Sequence, residues 1–355
     1  MERNDTAIEI VFLSWLEPNY SRSAVILNSR YAEKFNGQFR KVKSGASLPI
    51  TLIRVVLDFR KKNVIYFVCS PCLTISIWLK LFGSKRIFLD AGWPLTDNTY
   101  KSKNKILNLF KTLRIRLIEW LAFKSSHLIF LESEVQANRV SLDFKLDPKK
   151  IVVGYTGLNE QEFQVESIKP HELIEISFKM TRPIILFRGK INEESGIEKI
   201  QNLISNLDKA TFIICSSNLP TNFPHYDNLI KIERNVSFAE MKYLYQLSDV
   251  ALGQLGSSKR LNRTIPHKAF ESAYFGKPYL GFNHKALNEL FNEKQSSLLF
   301  TSLEEFQILL ANYKQNQESV RDIGLNAKQI YEKKFNQEIL SQKRIDQMIE
   351  YTQES

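Results

Sequence analysis

TIPHKAFESAYFGKP, residues 264–278, lies between two apolar runs, Asp249 to Leu252 and Pro278 to Phe282. Both runs read as short buried strands bounded by turn residues. Between them Pro266 opens a helix, because its missing N–H would be unpaired in the first turn anyway. Gly276, followed by Lys277 and Pro278, ends that helix after about three turns. A strand, loop and helix in this order aim the helix N-terminus, with its unpaired N–H groups and partial positive charge, at the carboxyl edge of a parallel sheet, where phosphates bind. Glu271 falls within the first two turns, placed to accept from a pair of vicinal hydroxyls. Ala269, Phe270, Ala273 and Tyr274 supply a packing face, and on this helix alone Glu271 reads equally well as a solvated residue.

The same alternation of apolar strands and amphipathic helices runs along the whole chain, as in parallel sheets covered on both faces. Strands are expected at Ile8 to Leu13, Val64 to Cys69, Arg86 to Asp90, His127 to Leu131 and Ile151 to Val153. A second set is expected at Ile184 to Phe187, Thr211 to Cys215, Ile230 to Ile232, Val250 to Leu252, Tyr279 to Gly281 and Ser297 to Phe300. With 355 residues the chain exceeds one average core and suits two α/β halves. Periodicity lapses between Gly154 and Arg182, so the domains are expected as 1–160 and 161–335, with a C-terminal helix, 336–355, beyond them.

Pro183 to Ile200, PIILFRGKINEESGIEKI, is an apolar strand running into Arg188-Gly189-Lys190, a polar loop, and a helix from Gly196. Together with residues 264–278 it resembles the group-1, family 4-like retaining glycosyltransferases of the GT-B fold. Those enzymes carry a strand ending in G-R-L or G-K-L, a loop and a helix, and later P-x-K-x-x-E-x-x-A-x-G-K-P. Gly189-Lys190-Ile191 matches the first element, and Pro266, Lys268, Glu271, Gly276, Lys277 and Pro278 match the second. The resemblance covers most of residues 150–352 and the N-terminal half only in outline.

It implies an α/β fold of two Rossmann-like domains facing a central cleft, with the C-terminal helix crossing back to the first. A basic acceptor-binding domain would precede a domain that binds the nucleotide-sugar donor. Lys190 and Arg188, with the Gly189 backbone, would face the diphosphate, which needs cations or oriented N–H groups. Glu271 would bind the ribose hydroxyls, Lys268 would assist or position it, and Asn235 and Val236 would lie closest to the base. Lys190 is the expected main electrostatic catalyst of glycosyl transfer with retention, since fixed cations stabilise a leaving diphosphate as its charge develops. Two positions depart from the family pattern. Arg263 stands where a first glutamate is common, and Ser195 where a lysine precedes the helix glycine, leaving Lys190, Arg188, Lys259, Arg260 or Arg263 to neutralise the phosphates.

Acceptor chemistry is expected from the first domain. Arg86 to Thr96, RIFLDAGWPLT, ends a strand at Asp90, the candidate general base or acceptor contact; a turn-capping role for Asp90 is the alternative. Glu119, Glu132 and Ser133 are weaker candidates. A non-catalytic nucleotide- or partner-binding subunit of a polysaccharide assembly complex, and a nucleotide-sugar 2-epimerase, are the competing readings.

Charge is uneven. Residues 1–160 hold 25 Lys and Arg against 14 Asp and Glu, and residues 161–355 hold 24 of each, so the whole net charge of +11 sits on the first half. Nucleic acid, an anionic membrane or an acidic substrate would all suit it, but no motif has base-reading geometry. Lys101 to Lys124 decides between them: Leu107, Phe110, Leu113, Leu117, Trp120 and Leu121 recur at helical spacing among six or more basic residues. Such a helix suits a lipid headgroup layer, although a core helix with a solvated basic face has the same composition. The resemblance adds a lipid-linked or glycan acceptor in cell-surface polysaccharide synthesis, reached from the inner face of the membrane.

Met1 to Thr6 is polar and Ile8 to Leu16 is short and contains Glu9, so no signal peptide or transmembrane span is read and a cytoplasmic location is expected. Cys69, Cys72 and Cys215 form no disulfide framework, and Cys69-Ser-Pro-Cys72 reads as incidental core cysteines. The five histidines lack metal-ligand spacing and no D-x-D occurs. The expectation is therefore a metal-independent enzyme with no cofactor, using a nucleotide diphosphate sugar as co-substrate.

Overall fold

A computed structural model describes residues 8–18, 21–35, 37–60, 63–98, 105–174, 180–291 and 296–354. Residues 101–104, the start of the expected basic helix, lie outside the described residues. The chain divides into two compact units, Met1–Asn159 with Gln337–Ser355, and Glu160–Asn336.

The first unit contains β1 (Glu9–Ser14), β2 (Gln38–Lys41), β3 (Val64–Val68), β4 (Ile87–Gly92), β5 (Leu128–Leu131) and β6 (Ile151–Val153). They form one parallel sheet in the order β2-β1-β3-β4-β5-β6. Its helices are α1 (Ser21–Leu27), α2 (Arg30–Glu33), α3 (Leu48–Asp58), α4 (Thr74–Leu81), α5 (Lys105–Ser125) and α6 (Glu134–Phe144). Successive strand residues point to opposite faces. Val11, Leu13, Tyr66 and Val68 therefore meet Leu52, Leu79, Phe123 and Val140 of α3 to α6, while Ile10, Phe12 and Phe67 meet the other layer.

In the second unit β7 (Ile184–Arg188), β8 (Thr211–Cys215), β9 (Leu229–Ile232), β10 (Val250–Leu252), β11 (Tyr279–Phe282) and β12 (Leu298–Phe300) are again parallel, in the order β12-β11-β10-β7-β8-β9. Helices α7 (His171–Ile174), α8 (Ile197–Asn206), α9 (Phe238–Leu247), α10 (His267–Tyr274), α11 (Leu287–Leu290), α12 (Leu303–Ala311) and α13 (Tyr313–Ile330) accompany them. The chain enters at β7 and builds outward first through β8 and β9, then through β10 to β12. The strand order therefore reverses between β7 and β10, and in such sheets ligands bind at the carboxyl ends beside that switch.

The last helix, α14 (Gln337–Glu354), belongs to the first unit. Ile345 and Met348 pack with Ile10, Phe12 and Phe67, and Glu338 accepts from the backbone N–H groups of Arg30 (3.0 Å) and Tyr31 (3.3 Å). Every run expected as a strand forms one. Only β2 escapes the apolar-run criterion: QFRK is an edge strand with no buried residue, and charged side chains are what an unpaired edge tolerates. Among the described residues no helix is long and apolar enough to cross a membrane.

Candidate functional site

Strand β7 ends at Arg188, and Gly189 follows with φ +134°, a backbone region that side-chain-bearing residues rarely enter. Because β7 pairs in parallel with β10, the turn after Arg188 and the loop after Leu252 leave the sheet on the same edge. The two loops then run backbone to backbone: the N–H of Leu255 donates to the Ser195 carbonyl (3.1 Å) and that of Gly256 to the Glu194 carbonyl (3.0 Å). A Cβ on Gly196 would lie 2.4 Å from the Leu255 carbonyl carbon, and one on Gly256 2.3 Å from the Glu193 oxygen, so only glycine permits this approach. Arg260 locks the pair by donating to Glu194 at 2.7 and 2.9 Å.

Helix α10 returns from this loop with Ala269, Phe270 and Ala273 in the core. Gly276 (φ +66°) terminates it, and Lys277 donates to the carbonyls of Gln246 and Ser248 at the end of α9. Glu271 is fully buried, forms an ion pair with Arg188 Nη2 (2.8 Å), and accepts two hydrogen bonds, from His267 Nδ1 (3.0 Å) and Tyr245 Oη (2.7 Å). Phe275 stacks on the Tyr245 ring at 4.8 Å and fixes its hydroxyl. Burial pushes the Glu271 carboxyl up, but the Arg188 charge, followed by the two other donors, outweighs this and holds it down at about 2.

Lys268, the next position round the helix, lies 4.0 Å from the centre of the Phe187 ring. A Cβ on Gly189 would stand 3.5 Å from its Nζ, so the ammonium rests over the glycine of the β7 turn. Burial, then repulsion from Arg188, brings the Lys268 ammonium down to about 7 against the attraction of Glu271. One strand end thus gathers a permanent cation, a carboxylate and a lysine poised near neutrality.

The expected donor residues divide on this geometry. Arg188, Gly189, Lys268 and Glu271 come together, and Lys190 follows them, exposed, on the same edge. Asn235 and Val236 lie in the loop between β9 and α9, two strands from β7, where Ser237 and Glu240 form a capping box that starts α9. Both oxygens of the fully buried Glu271 carboxylate are engaged from within, by Arg188, His267 and Tyr245, so the expected grip on two hydroxyls is not open in this arrangement. Nor is Arg188 simply turned to a ligand: Glu271 holds it. Of the other cations weighed for phosphate, Arg260 is committed to Glu194, and Ser195, in place of the family lysine, is buried and closes its own turn through Asn192 (2.6 Å). Sequence reasoning missed Tyr245 and the role of His267. The i, i+4 spacing of His267 and Glu271 would have pointed to the second, whereas Tyr245 arrives from another helix with no local trace.

In the first unit Asp90, at the end of β4, is fully buried against Arg22 of α1, which donates from Nε (3.1 Å to each oxygen) and Nη2 (2.5 Å). The same guanidinium reaches the Thr156 hydroxyl (2.7 Å) and the Gly154 carbonyl (2.9 Å), tying the ends of β4 and β6 to α1. Asp90, the candidate general base, is thus clamped by a buried guanidinium and closed to an acceptor in this arrangement. Two of the weaker candidates also have partners within the fold. Glu119 is buried and accepts from Thr96 N (3.1 Å) and Oγ1 (2.9 Å), and Ser133 caps α6 through Gln136 N (3.0 Å). Cys69 and Cys72 are buried, and burial pushes both thiols up, away from thiolate chemistry.

The two six-stranded parallel sheets with their flanking helices are the two Rossmann-like domains of the GT-B fold. Residues 197–350, less than half of the chain, match the model of a glycosyl transferase-like family; the span includes α10 but begins after the Arg188–Lys190 turn. HepE of Anabaena, solved with UDP, is similar in fold with a TM-score of 0.68 at 12% identity, over 96% of this chain and 100% of that one. Sucrose-phosphate synthase of Thermosynechococcus elongatus gives a TM-score of 0.69 at 10% identity, over 98% and 100%. An enzyme assigned as a UDP-N-acetylglucosamine 2-epimerase, from Listeria monocytogenes, gives 0.57 at 10% identity, over 98% and 97%. No curated protein sequence matches the chain. At such identities the likeness is one of fold.

Proposed function

We propose that the protein is a glycosyltransferase moving a sugar from a nucleotide diphosphate sugar to an acceptor. The observation that carries this reading is the meeting of the Arg188-Gly189 turn, Glu271 and Lys268 at the switch point between β7 and β10. An anionic diphosphate beside that turn would meet Lys190, the N-terminus of α8 and Lys268, the last two held in place before the reaction begins. Charge that develops on the leaving group is then stabilised without reorganisation. Glu271 takes a ribose hydroxyl by exchanging one internal donor. His267 is the most exposed of the three at 30%, so it is the one that yields most easily. The base lies toward Asn235 and Val236.

The finer reading is transfer with retention, without a metal or cofactor, to a lipid-linked or glycan acceptor in cell-surface polysaccharide synthesis. The protein would work from an anionic membrane surface on its inner face, through the basic first domain. HepE, solved with UDP and with UDP-glucose, favours a uridine donor. The similarity in fold to the Listeria enzyme keeps a 2-epimerase as the second reading. Incubation with a nucleotide sugar separates the two, because transfer releases nucleoside diphosphate in step with acceptor whereas epimerisation at C2 consumes no acceptor.

Calorimetric titration with uridine and guanosine diphosphates tests the site itself. The Lys268 ammonium, down to about 7 when the site is empty, is re-protonated when a diphosphate arrives. At pH 8 binding is expected to take up close to one proton, read from the dependence of the heat on buffer ionisation enthalpy. Affinity is expected to fall about tenfold per pH unit above 7, and Lys268→Met should abolish both effects. Binding of neither diphosphate, or affinity unaltered in Lys268→Met and Glu271→Gln, would remove the donor site.

A further inference from the structure

Helix α5 is amphipathic twice over. Ala122, Phe123 and Glu119 are buried, with Ile115 and Ile118 half-buried beside them, and this stripe packs on the sheet. At about 100° per residue, the opposite side of the helix carries Ile106, Phe110, Leu113, Leu117 and Trp120. These are exposed by 68%, 67%, 54%, 56% and 43%, with Leu109 and Leu121 at the margins. A helix in a soluble domain normally presents polar residues there, and a contiguous apolar face of this size marks an interaction surface. Arg114 and Arg116 flank the apolar face on either side, Lys124 ends it, and Lys111 lies beyond Arg114; all four are exposed. The only carboxylate of the helix, Glu119, is buried on the far side with Thr96.

We infer that the outward face of α5 docks the protein on an anionic phospholipid bilayer. The inference deepens the membrane reading above and rests on it, while standing on separate observations. Apolar side chains with cations at their flanks match acyl chains below a layer of phosphates, and Trp120 has the ring that settles at such a boundary. A second copy of this chain fits less well, because two such faces would bring Arg114, Arg116, Lys111 and Lys124 against their own counterparts with no exposed carboxylate on the helix to meet them. In the same helix layer Ile50, Ile53 and Leu57 of α3 and Leu142 of α6 are also exposed.

Sedimentation with vesicles, in the absence of nucleotide, tests the inference. The intact protein is expected to bind vesicles of phosphatidylcholine with phosphatidylglycerol at low salt, and to bind phosphatidylcholine alone weakly. Leu113→Asp with Leu117→Asp, or Arg114→Glu with Lys111→Glu, should lower partitioning by about tenfold or more. Ile308→Asp, an equally exposed change in the second unit, should leave it unaltered. All the altered residues are exposed, so unchanged circular dichroism and melting are expected to show that the fold survives. The inference fails if the protein ignores anionic vesicles, or if the Leu113, Leu117 variant binds as well as the parent. It fails too if that variant instead converts a dimer to a monomer. Because no nucleotide is present, loss of vesicle binding would leave the transferase reading standing, and loss of transfer would leave the docking surface standing.

Discussion

Replacing Lys190 by alanine is expected to lower turnover of a nucleotide-sugar donor by about a hundredfold or more, the usual effect of removing one preorganised group that stabilises developing charge. Thermal stability should hardly move, because the side chain is exposed at the end of β7 and packs into no core. The same substitution should weaken binding of the diphosphate product more than that of the intact nucleotide sugar, since the leaving group gains charge as its bond to the sugar breaks. Initial rates, the two affinities and melting of the two proteins measure all three effects. Turnover within a few fold of the parent would take Lys190 out of the site and leave Lys268 and the α8 N-terminus to carry the diphosphate.

Arg188→Met is expected to act in the opposite manner, on stability first. It strands a fully buried Glu271 with only His267 and Tyr245 for partners, and an uncompensated buried charge costs several kcal/mol. The Glu271 carboxyl is held near 2 in the folded protein, against an ordinary value of 4.5. Its contribution, about 3 kcal/mol, is therefore present above pH 4.5 and is lost as pH falls toward 2. Denaturation of the variant should show that deficit at pH 7, and the gap to the parent should close in acid. Glu271→Gln should cost less, because Arg188 keeps 26% exposure and can reach water. Combining the two substitutions should recover part of what Arg188→Met alone loses. Equal stability of Arg188→Met and parent at pH 7 would mean that the pair is not a structural unit.

Much of the architecture was legible because its signals are local. Apolar runs such as Ile184 to Phe187 and Tyr279 to Gly281 are buried on both faces and read as parallel strands without knowledge of their neighbours. The glycine at 276 and the proline at 266 bracket α10 through their own backbone preferences. QFRK of β2 was not legible, since its strand character comes from pairing with β1 and from nothing in its side chains. The candidate site divides in the same way. Lys268 and Glu271 stood out on one helix, but that Arg188 and Tyr245 would close on the carboxylate depends on β7 and α9, far off in sequence. Asp90 shows the same limit: a strand-end aspartate read alone gives no sign that Arg22 of α1 will clamp it.

By itself the amino-acid sequence determined two parallel α/β units, the punctuation of the helices, and the concentration of positive charge in the first half, because each depends on residue type and short spacing. Tertiary structure alone decided which charges meet. An ion pair such as Arg188 with Glu271 spans 83 positions, and the energy of a charge depends on distance and burial, quantities that no local pattern encodes. It also decided that the apolar face of α5 points away from its sheet. A helix with two apolar stripes can pack on either, and only the fold shows which one the core took.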